Sequence, residues 1–208
     1  MPNSNPISAW KSLRQGNERF VSGKSIHPSQ GIADREKLVD GQHPTAVVFG
    51  CGDSRVAAEI IFDQGLGDMF VVRTAGQAVD DSVLGSIEFA VEILNVPLIV
   101  VLGHEGCGAI KATLNALDNG EIPNGFIRTL VERVAPSILM GRNDGLTTPD
   151  EFVARHAVET GALLEQRSRI IADRIANGTL AVAGVTYNLS DSRMHLQGVV
   201  GDIGETVG

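Results

Sequence analysis

Three uninterrupted apolar runs of strand length constrain this fold more than any other feature of the sequence. They cover residues 45–51, 69–73 and 97–104. Runs without polar alternation are typical of strands that are buried on both faces of a sheet. Residues 81–95 separate the second run from the third and carry an apolar stripe at helical spacing. Because strand–helix–strand connections place their strands in parallel, we expect an α/β fold with a mainly parallel β-sheet flanked by helices.

The amino-terminal segment, residues 1–23, predicts a helical arm outside the sheet. Asn5 followed by Pro6 is typical of a helix start. Four apolar residues then recur near helical spacing: Trp10, Leu13, Phe20 and Val21. An apolar stripe on a helix outside the sheet needs a surface to cover it. We expect a second copy of the chain to contribute that surface, so that the arm helps to hold a homo-oligomer.

The carboxy-terminal half predicts more helices and then a hairpin. The expected helices are one after residue 107 that ends at 119–120, one over 126–140 kinked at Pro136, and a long segment from a capping box at 148–151 to 177–178. The runs 180–187 and 194–200 flank a polar turn and predict a hairpin that adds a carboxy-terminal edge strand. We expect one domain over residues 1–208, with its core in 45–208.

Charge and hydropathy exclude several classes of protein. The formal net charge of -8 argues against a nucleic-acid surface, which needs a basic stripe to neutralise phosphates. No apolar run approaches the roughly 18 residues of a membrane span, and the first residues lack the pattern of a signal peptide. We therefore expect a cytoplasmic protein that binds neither nucleic acid nor a membrane.

Three side chains with chemical potential follow the first apolar run. Cys51, Asp53 and Arg55 are each two residues apart, so they project from one face if the strand stays extended through them. They also lie at the carboxyl end of a predicted parallel strand, where open α/β sheets place their sites. We expect a thiolate, a carboxylate and a guanidinium to converge there.

A second group of ligands ends the third apolar run. His104 closes the predicted strand, and Cys107 falls in the first turn of the next helix, whose dipole favours a thiolate. Two thiolates and an imidazole suit zinc and leave one tetrahedral position open. A disulfide between Cys51 and Cys107 is the alternative, but a reducing cytosol disfavours it. The residues alone predict a metal-dependent hydrolase, hydratase or lyase.

The two groups also carry a resemblance. Cys-Gly-Asp-Ser-Arg at 51–55 and Gly-His-Glu-Gly-Cys-Gly at 103–108 resemble the paired signature of the beta-class carbonic anhydrases. Residues 13–20 and 184–187 resemble that family's amino-terminal helix and last core strand, so the resemblance covers nearly the whole chain. It implies reversible hydration of carbon dioxide to bicarbonate and a proton by zinc-bound hydroxide. It also implies a homodimer, and dimers of this family often pair into tetramers.

The same resemblance assigns roles to the residues of the two groups. Cys51, His104 and Cys107 match the ligands of one Zn²⁺ per chain. Asp53 and Arg55 match the catalytic dyad beside the metal. Asp53 has two alternative partners in this scheme, because it can pair with Arg55 or take the fourth metal position in a closed, inactive state.

Residues outside the two groups are matched to the substrate pocket. Gln42 corresponds to a glutamine that orients substrate, Phe70 to an aromatic wall, and Gly108 to a substrate-binding position. The proton must also reach solvent, and histidine is the usual carrier. Among the histidines other than His104, His43 is favoured because it adjoins Gln42; the others are His27, His156 and His195.

Two other functions remain compatible with the same fold, since a fold does not fix a function. One is a non-catalytic, zinc-stabilised binding protein. The presence of both Asp53 and Arg55 speaks against it. The other is a hydrolase of a carbon dioxide analogue such as carbon disulfide, which access to the pocket would decide.

Overall fold

One five-stranded sheet organises the molecule. The computed structural model describes residues 5–207, and the strand order is β2-β1-β3-β4-β5. The strands are β1 (Ala46–Cys51), β2 (Met69–Thr74), β3 (Leu98–His104), β4 (Ala181–Tyr187) and β5 (Met194–Val200). Neighbouring strands from β2 to β4 pair in parallel, and β5 pairs antiparallel with β4 at the edge. The expected α/β class, the mainly parallel sheet and the carboxy-terminal edge strand are confirmed.

Helices cover both faces of this sheet. In the part of the chain that the structure describes they are α1 (Pro6–Val21), α2 (Ile32–Lys37), α3 (Ala58–Ile61), α4 (Asp81–Glu88), α5 (Gly108–Asn119), α6 (Ile127–Asn143), α7 (Pro149–Arg167) and α8 (Arg169–Ala176). No helix of residues 5–207 combines the length and the apolar character that a membrane crossing requires.

Alternate residues of the central strands pack into different layers. Val48 and Val100 belong to the apolar cluster that contains α1. Their neighbours Val47 and Val101 belong to the cluster that contains α4. Successive side chains of a strand point to opposite faces, so each central strand has to be apolar on both faces. This is why the strand segments read as unbroken apolar runs.

The amino-terminal arm packs on its own chain. Asn5 caps α1, and Trp10 and Leu13 are only 2% and 0% exposed. The side chain of Asn17 donates to the carbonyl oxygens of residues 61 and 192 and accepts from the amide of residue 194. Trp10 and Leu13 are thus covered without a second copy. The expectation that their burial requires a partner chain is wrong, because the arm has its own docking surface.

Two helical segments differ from their sequence patterns. The predicted long helix over 148–177 is two helices, because the backbone at Ser168 is extended and the Ser168 hydroxyl caps α8 by accepting from the amide of Ile171. The apolar stripe over 81–95 begins as α4 and continues as a π-helical turn at Phe89–Ile93. Local capping and backbone geometry decide both cases, whereas apolar spacing reports only the buried face.

The crossing of α1 over α3 depends on a glycine. A Cβ at Gly16 would lie 1.7 Å from the carbonyl oxygen of Phe62, so Gly16→Ala must push the arm off the core. We expect a loss of about 1–3 kcal/mol in the free energy of unfolding, as for other overpacked sites, measured by urea titration. Gly85→Ala in α4 is the matched control, since a Cβ there meets nothing within 4 Å and alanine favours a helix. Equal effects of the two substitutions would contradict this account.

Candidate metal centre

The carboxyl ends of β1 and β3 place two candidate metal ligands side by side. The strands are parallel neighbours, and Cys51 and His104 are their last residues. Cys107 follows three residues later at the N-cap of α5, one position before the helical turn that the sequence predicts. All three are buried, and their ligand atoms lie within 4.8 Å of one another. The structure therefore brings together the three residues that the sequence proposes as ligands.

His104 is oriented to act as a ligand. Its Nδ1 lies 2.9 Å from the carbonyl oxygen of Glu105. A carbonyl oxygen only accepts, so Nδ1 carries the proton and Nε2 presents a lone pair. Among the described residues Nε2 has no hydrogen-bond partner although it is buried. An unpartnered buried acceptor is unfavourable, and a cation bound between Nε2 and the two sulfurs would satisfy it.

The two cysteines are buried free thiols. Their contact lowers the pKa of Cys51 and raises the pKa of Cys107, because a charge on one sulfur is stabilised by the thiol of the other. A soft divalent cation that displaces the thiol protons would gain two thiolate ligands. Two thiolates and one imidazole are a donor set that fits zinc and leaves one tetrahedral position open.

Asp53 and Arg55 form a bidentate ion pair beside the ligands. Arg55 donates from Nε to Oδ1 at 3.0 Å and from Nη2 to Oδ2 at 2.7 Å. These bonds hold the pKa of the Asp53 carboxyl well below its usual range, so Asp53 is ionised. Its Oδ2 is 4.0 Å from Nε2 of His104. The carboxylate lies at the edge of the ligand cluster while Arg55 occupies both of its oxygens.

A turn, and not an extended strand, makes these side chains converge. β1 ends at Cys51, and the amide of Val56 donates to the carbonyl oxygen of Asp53 at 3.1 Å. The amide of Arg55 also donates to Oδ1 of Asp53, at 2.9 Å. The expectation that the strand stays extended through Arg55 is wrong. The carboxylate captures the backbone two residues on, as aspartate does in turns.

Two residues outside the sequence motifs hold the Cys51 segment in place. Arg73, on the neighbouring strand β2, donates to the carbonyl oxygens of Cys51 at 2.8 Å and Asp53 at 2.6 Å. The amide of Gly76 donates to the Cys51 sulfur at 3.4 Å. Gly76 has a φ of 64°, and a Cβ there would meet that of Ala109 at 2.4 Å. The glycine is therefore required by both backbone conformation and space.

Comparison with known proteins identifies the family. The family model described as carbonic anhydrase matches residues 46–194. A carbonic anhydrase of Mycolicibacterium smegmatis is 65% identical over 205 residues, which cover 99% of this chain and 100% of the relative. The chain belongs to the beta-class carbonic anhydrase family. Carbonic anhydrase 2 of Mycobacterium tuberculosis is 62% identical and covers 100% of both chains.

Solved beta-class structures have the same fold. A Coccomyxa beta-carbonic anhydrase in complex with acetazolamide superposes with a TM-score of 0.71 at 24% identity, over 90% of this chain and 86% of that one. One of two tetrameric beta-carbonic anhydrases from Sordaria macrospora gives a TM-score of 0.68 at 27% identity, over 91% and 96%. The chain is thus similar to this family in sequence and in fold over nearly its full length.

The residues matched to the substrate pocket of this family do not all meet in one chain. Gly108 begins α5 beside Cys107. Gln42 is exposed ahead of the amino end of β1. Phe70 pairs with Val47, which is four residues and about 13 Å along the strand from Cys51. Of these three, only Gly108 is therefore adjacent to a candidate metal ligand of its own chain.

One histidine is excluded as the proton carrier of this beta-class enzyme. His156 is buried, and both of its ring nitrogens have hydrogen-bond partners inside the protein. Burial lowers its pKa, so it stays neutral and has no path of its own to solvent. Its inclusion among the candidates is wrong because it is buried and both of its nitrogens are engaged by Ser137 and Gly76. The other three, His27, His43 and His195, are exposed.

The contacts of Arg73 lead to a prediction about metal affinity. Arg73→Met removes both hydrogen bonds to the Cys51 segment. We expect zinc affinity to fall about 10- to 100-fold, as for other groups that orient metal ligands, with little change in unfolding because Arg73 is exposed. Competition with a chromogenic chelator measures the affinity. Arg174→Met is the matched control, because Arg174 donates to the carbonyl oxygen of Val91 far from the centre. Wild-type affinity in Arg73→Met would refute the prediction.

Proposed function

We propose that this chain catalyses the reversible hydration of carbon dioxide to bicarbonate and a proton, at one zinc ion held by Cys51, His104 and Cys107. The observation that carries the proposal is the buried, unpartnered Nε2 of His104, which faces two thiols beside an ionised carboxylate. Zinc bound there supplies a Lewis acid that lowers the pKa of a coordinated water. The family membership supports this reaction.

Asp53 and Arg55 would act together beside the zinc. The ionised Asp53 carboxylate would accept a hydrogen bond from the reacting water and orient it. Arg55 holds both carboxylate oxygens and so would restrain Asp53 from binding the metal. Without that restraint, the carboxylate, whose Oδ2 lies 4.0 Å from His104 Nε2, would be free to become a ligand. This alternative is the closed state.

In this proposal carbon dioxide binds beside the ligands, next to Gly108. A Cβ at Gly108 would meet nothing within 4 Å and the residue is exposed, so a small molecule can approach the backbone next to Cys107. The wall behind it is apolar, because Ile110, Val134 and Val153 pack in one cluster with the two cysteines. A small apolar substrate can lie there without displacing a bound polar group. Gly108 is the substrate-binding residue that its own chain contributes.

Gln42 and Phe70 contact substrate at the metal centre of a second copy. Within their own chain they lie toward the opposite ends of β1 and β2 from Cys51. Phe70 belongs to the edge strand β2 and packs against Phe89, with ring centroids 6.4 Å apart, and Phe89 is 47% exposed. Phe70 is half-buried on the edge strand, and Phe89 in the adjoining π-helical turn is exposed; an exposed apolar surface of this kind is typical of an interface. We therefore propose a homodimer whose dimers can pair into tetramers.

The remaining functions that the sequence left open have less support. The bidentate bonds between Asp53 and Arg55 would be unnecessary in a binding protein that uses zinc only for stability. No contact in the described residues favours carbon disulfide over carbon dioxide. A cytoplasmic location agrees with the free thiols of Cys51 and Cys107, which need a reducing compartment.

The first test is the joint loss of metal and activity. Cys51→Ser, His104→Ala and Cys107→Ser each remove one of three ligands, and we expect each to lose zinc and carbon dioxide hydration together. Mass spectrometry gives the metal content, stopped-flow hydration gives the activity, and circular dichroism verifies the fold. A zinc-free wild-type protein with full activity would refute the proposal.

The second test separates the two partners of Asp53. Arg55→Ala frees the carboxylate to take the fourth position, so we expect retained zinc, little activity at neutral pH, and partial recovery at alkaline pH, where hydroxide competes for that position. Arg55→Lys keeps the positive charge but loses the two parallel N–H donors of the guanidinium. Its activity at neutral pH should lie between that of Arg55→Ala and that of wild type. Stopped-flow rates across pH, with zinc content, provide the measurement.

Two further outcomes are informative. Asp53→Ala leaves the fourth position open, and we expect low activity with no recovery at alkaline pH. If Arg55→Ala kept wild-type activity at neutral pH, Arg55 would have no role in restraining Asp53.

A further inference from the structure

His156 is a buried imidazole with a fixed tautomer. It lies on α7, and its Nε2 is 2.8 Å from the carbonyl oxygen of Gly76. That oxygen only accepts, so Nε2 carries the proton. In the neutral ring Nδ1 is then an acceptor, and it lies 2.9 Å from the hydroxyl of Ser137 on α6. Ser137 therefore donates to His156, and His156 donates to Gly76.

The Gly76 peptide links this histidine to a metal ligand. Its carbonyl oxygen accepts from His156, while its amide donates to the Cys51 sulfur at 3.4 Å. The next residue, Gln77, donates from its side chain to the carbonyl oxygen of Leu102 on β3 at 2.6 Å. The turn between β2 and α4 is thus held from three directions, by β1, by β3 and by α7.

Because His156 is neutral, each of its two hydrogen bonds has one donor and one acceptor: it accepts from Ser137 and donates to Gly76. The imidazole is buried among α6, α7 and the turn, and burial lowers its pKa. A protonated ring would carry protons on both nitrogens and leave the Ser137 hydroxyl without its acceptor. The neutral ring satisfies both contacts, so nothing in its surroundings favours a second orientation. Buried polar chains that are fully satisfied in this way specify one geometry.

We propose that His156 is a positioning residue of the metal centre, which holds the Gly76 peptide so that its amide points at the Cys51 sulfur. The inference rests on the proposed function only in that Cys51 is a metal ligand. His156 does not touch substrate or metal. It acts through one peptide group, in the way that outer hydrogen bonds orient metal ligands in other proteins.

The N–H to sulfur bond has two consequences for a bound metal. It fixes the position of Sγ relative to His104 and Cys107, which keeps the three ligand atoms in the arrangement that a metal requires. It also withdraws electron density from a thiolate, which limits how much charge the two cysteines donate to the metal. Loss of the bond should therefore speed metal release and make the sulfur a stronger donor.

Two substitutions of His156 distinguish its two nitrogens. The amide nitrogen of glutamine reaches the place of Nε2, so His156→Gln can still donate to Gly76. Asparagine is shorter and reaches only the place of Nδ1, so His156→Asn keeps a polar group near Ser137 but loses the bond to Gly76. A role in positioning therefore predicts that glutamine rescues the site and asparagine does not.

The measurements are made on the full chain loaded with zinc or cobalt. For His156→Asn we expect zinc transfer to a chelator to be about 10- to 100-fold faster than in wild type, and the sulfur-to-cobalt charge-transfer band to shift. His156→Gln should stay near wild type in both. Ser137→Ala should fall between them, because it frees the tautomer without removing the Nε2 donor. Urea unfolding of the metal-free proteins measures stability separately.

Thr160→Val is the matched control. Thr160 lies one turn further along α7 and is buried, but it takes no part in the bonds to Gly76. We expect its substitution to alter stability alone, with wild-type zinc release and cobalt spectrum. A purely structural His156 would behave like Thr160: its variants would lose stability without a change in release rate or band energy, and that result would overturn the proposal.

A measurement on the wild-type protein tests the proposal even if His156→Asn does not fold. Nitrogen-15 NMR of labelled histidines should show His156 with a protonated Nε2 and an unprotonated Nδ1, unchanged across the neutral range. The opposite tautomer, or a ring that titrates there, would overturn the proposal. If the wild-type chain binds no zinc, both the proposed function and this inference fail. If wild type binds zinc but the His156 variants release it at the wild-type rate and keep the wild-type cobalt band, this inference alone fails.

Discussion

The parallel pairing of β1 with β3 is the interaction on which the rest of the structure depends. It aligns the carboxyl ends of two central strands, so that Cys51 and His104, which are far apart in sequence, become neighbours at the carboxyl ends of the strands. α5 starts directly after β3 and adds Cys107. The strands can pair this way because both are apolar on both faces, which buries them beneath helices and leaves only their ends free for chemistry.

A site built from buried ligands needs support from several directions. Arg73 holds the carbonyl groups of the Cys51 segment from β2. The Gly76 turn contacts the sulfur, and His156 contacts that turn from α7. The backbone of Glu105 orients His104. These contacts hold the candidate ligand atoms within 4.8 Å of one another, as outer hydrogen bonds orient metal ligands in other proteins.

The sequence predicts the strands, and it points to the candidate ligands and to the pairing of Asp53 with Arg55, because each depends on local chemistry. An unbroken apolar run marks a strand buried on both faces, and a cysteine or histidine at its end is conspicuous. Contacts across the sheet cannot be read from a local pattern. The hydrogen bonds of Arg73 to the Cys51 segment and of His156 to Gly76 follow from strand register and helix packing. The apolar stripe of α1 likewise indicates that the helix is buried, but not that its own chain buries it. The break between α7 and α8 depends on one N-cap, the Ser168 hydroxyl, which the apolar spacing of the helices does not indicate.

X-ray absorption at the zinc edge of the reconstituted wild-type protein tests the proposed donors around the metal most directly. If Cys51, His104 and Cys107 are the ligands, the spectrum shows two sulfur neighbours at about 2.3 Å, one imidazole nitrogen at about 2.0 Å and one light atom in the remaining position. A spectrum with oxygen and nitrogen neighbours alone, or with four sulfurs drawn from two chains, would contradict this ligand set.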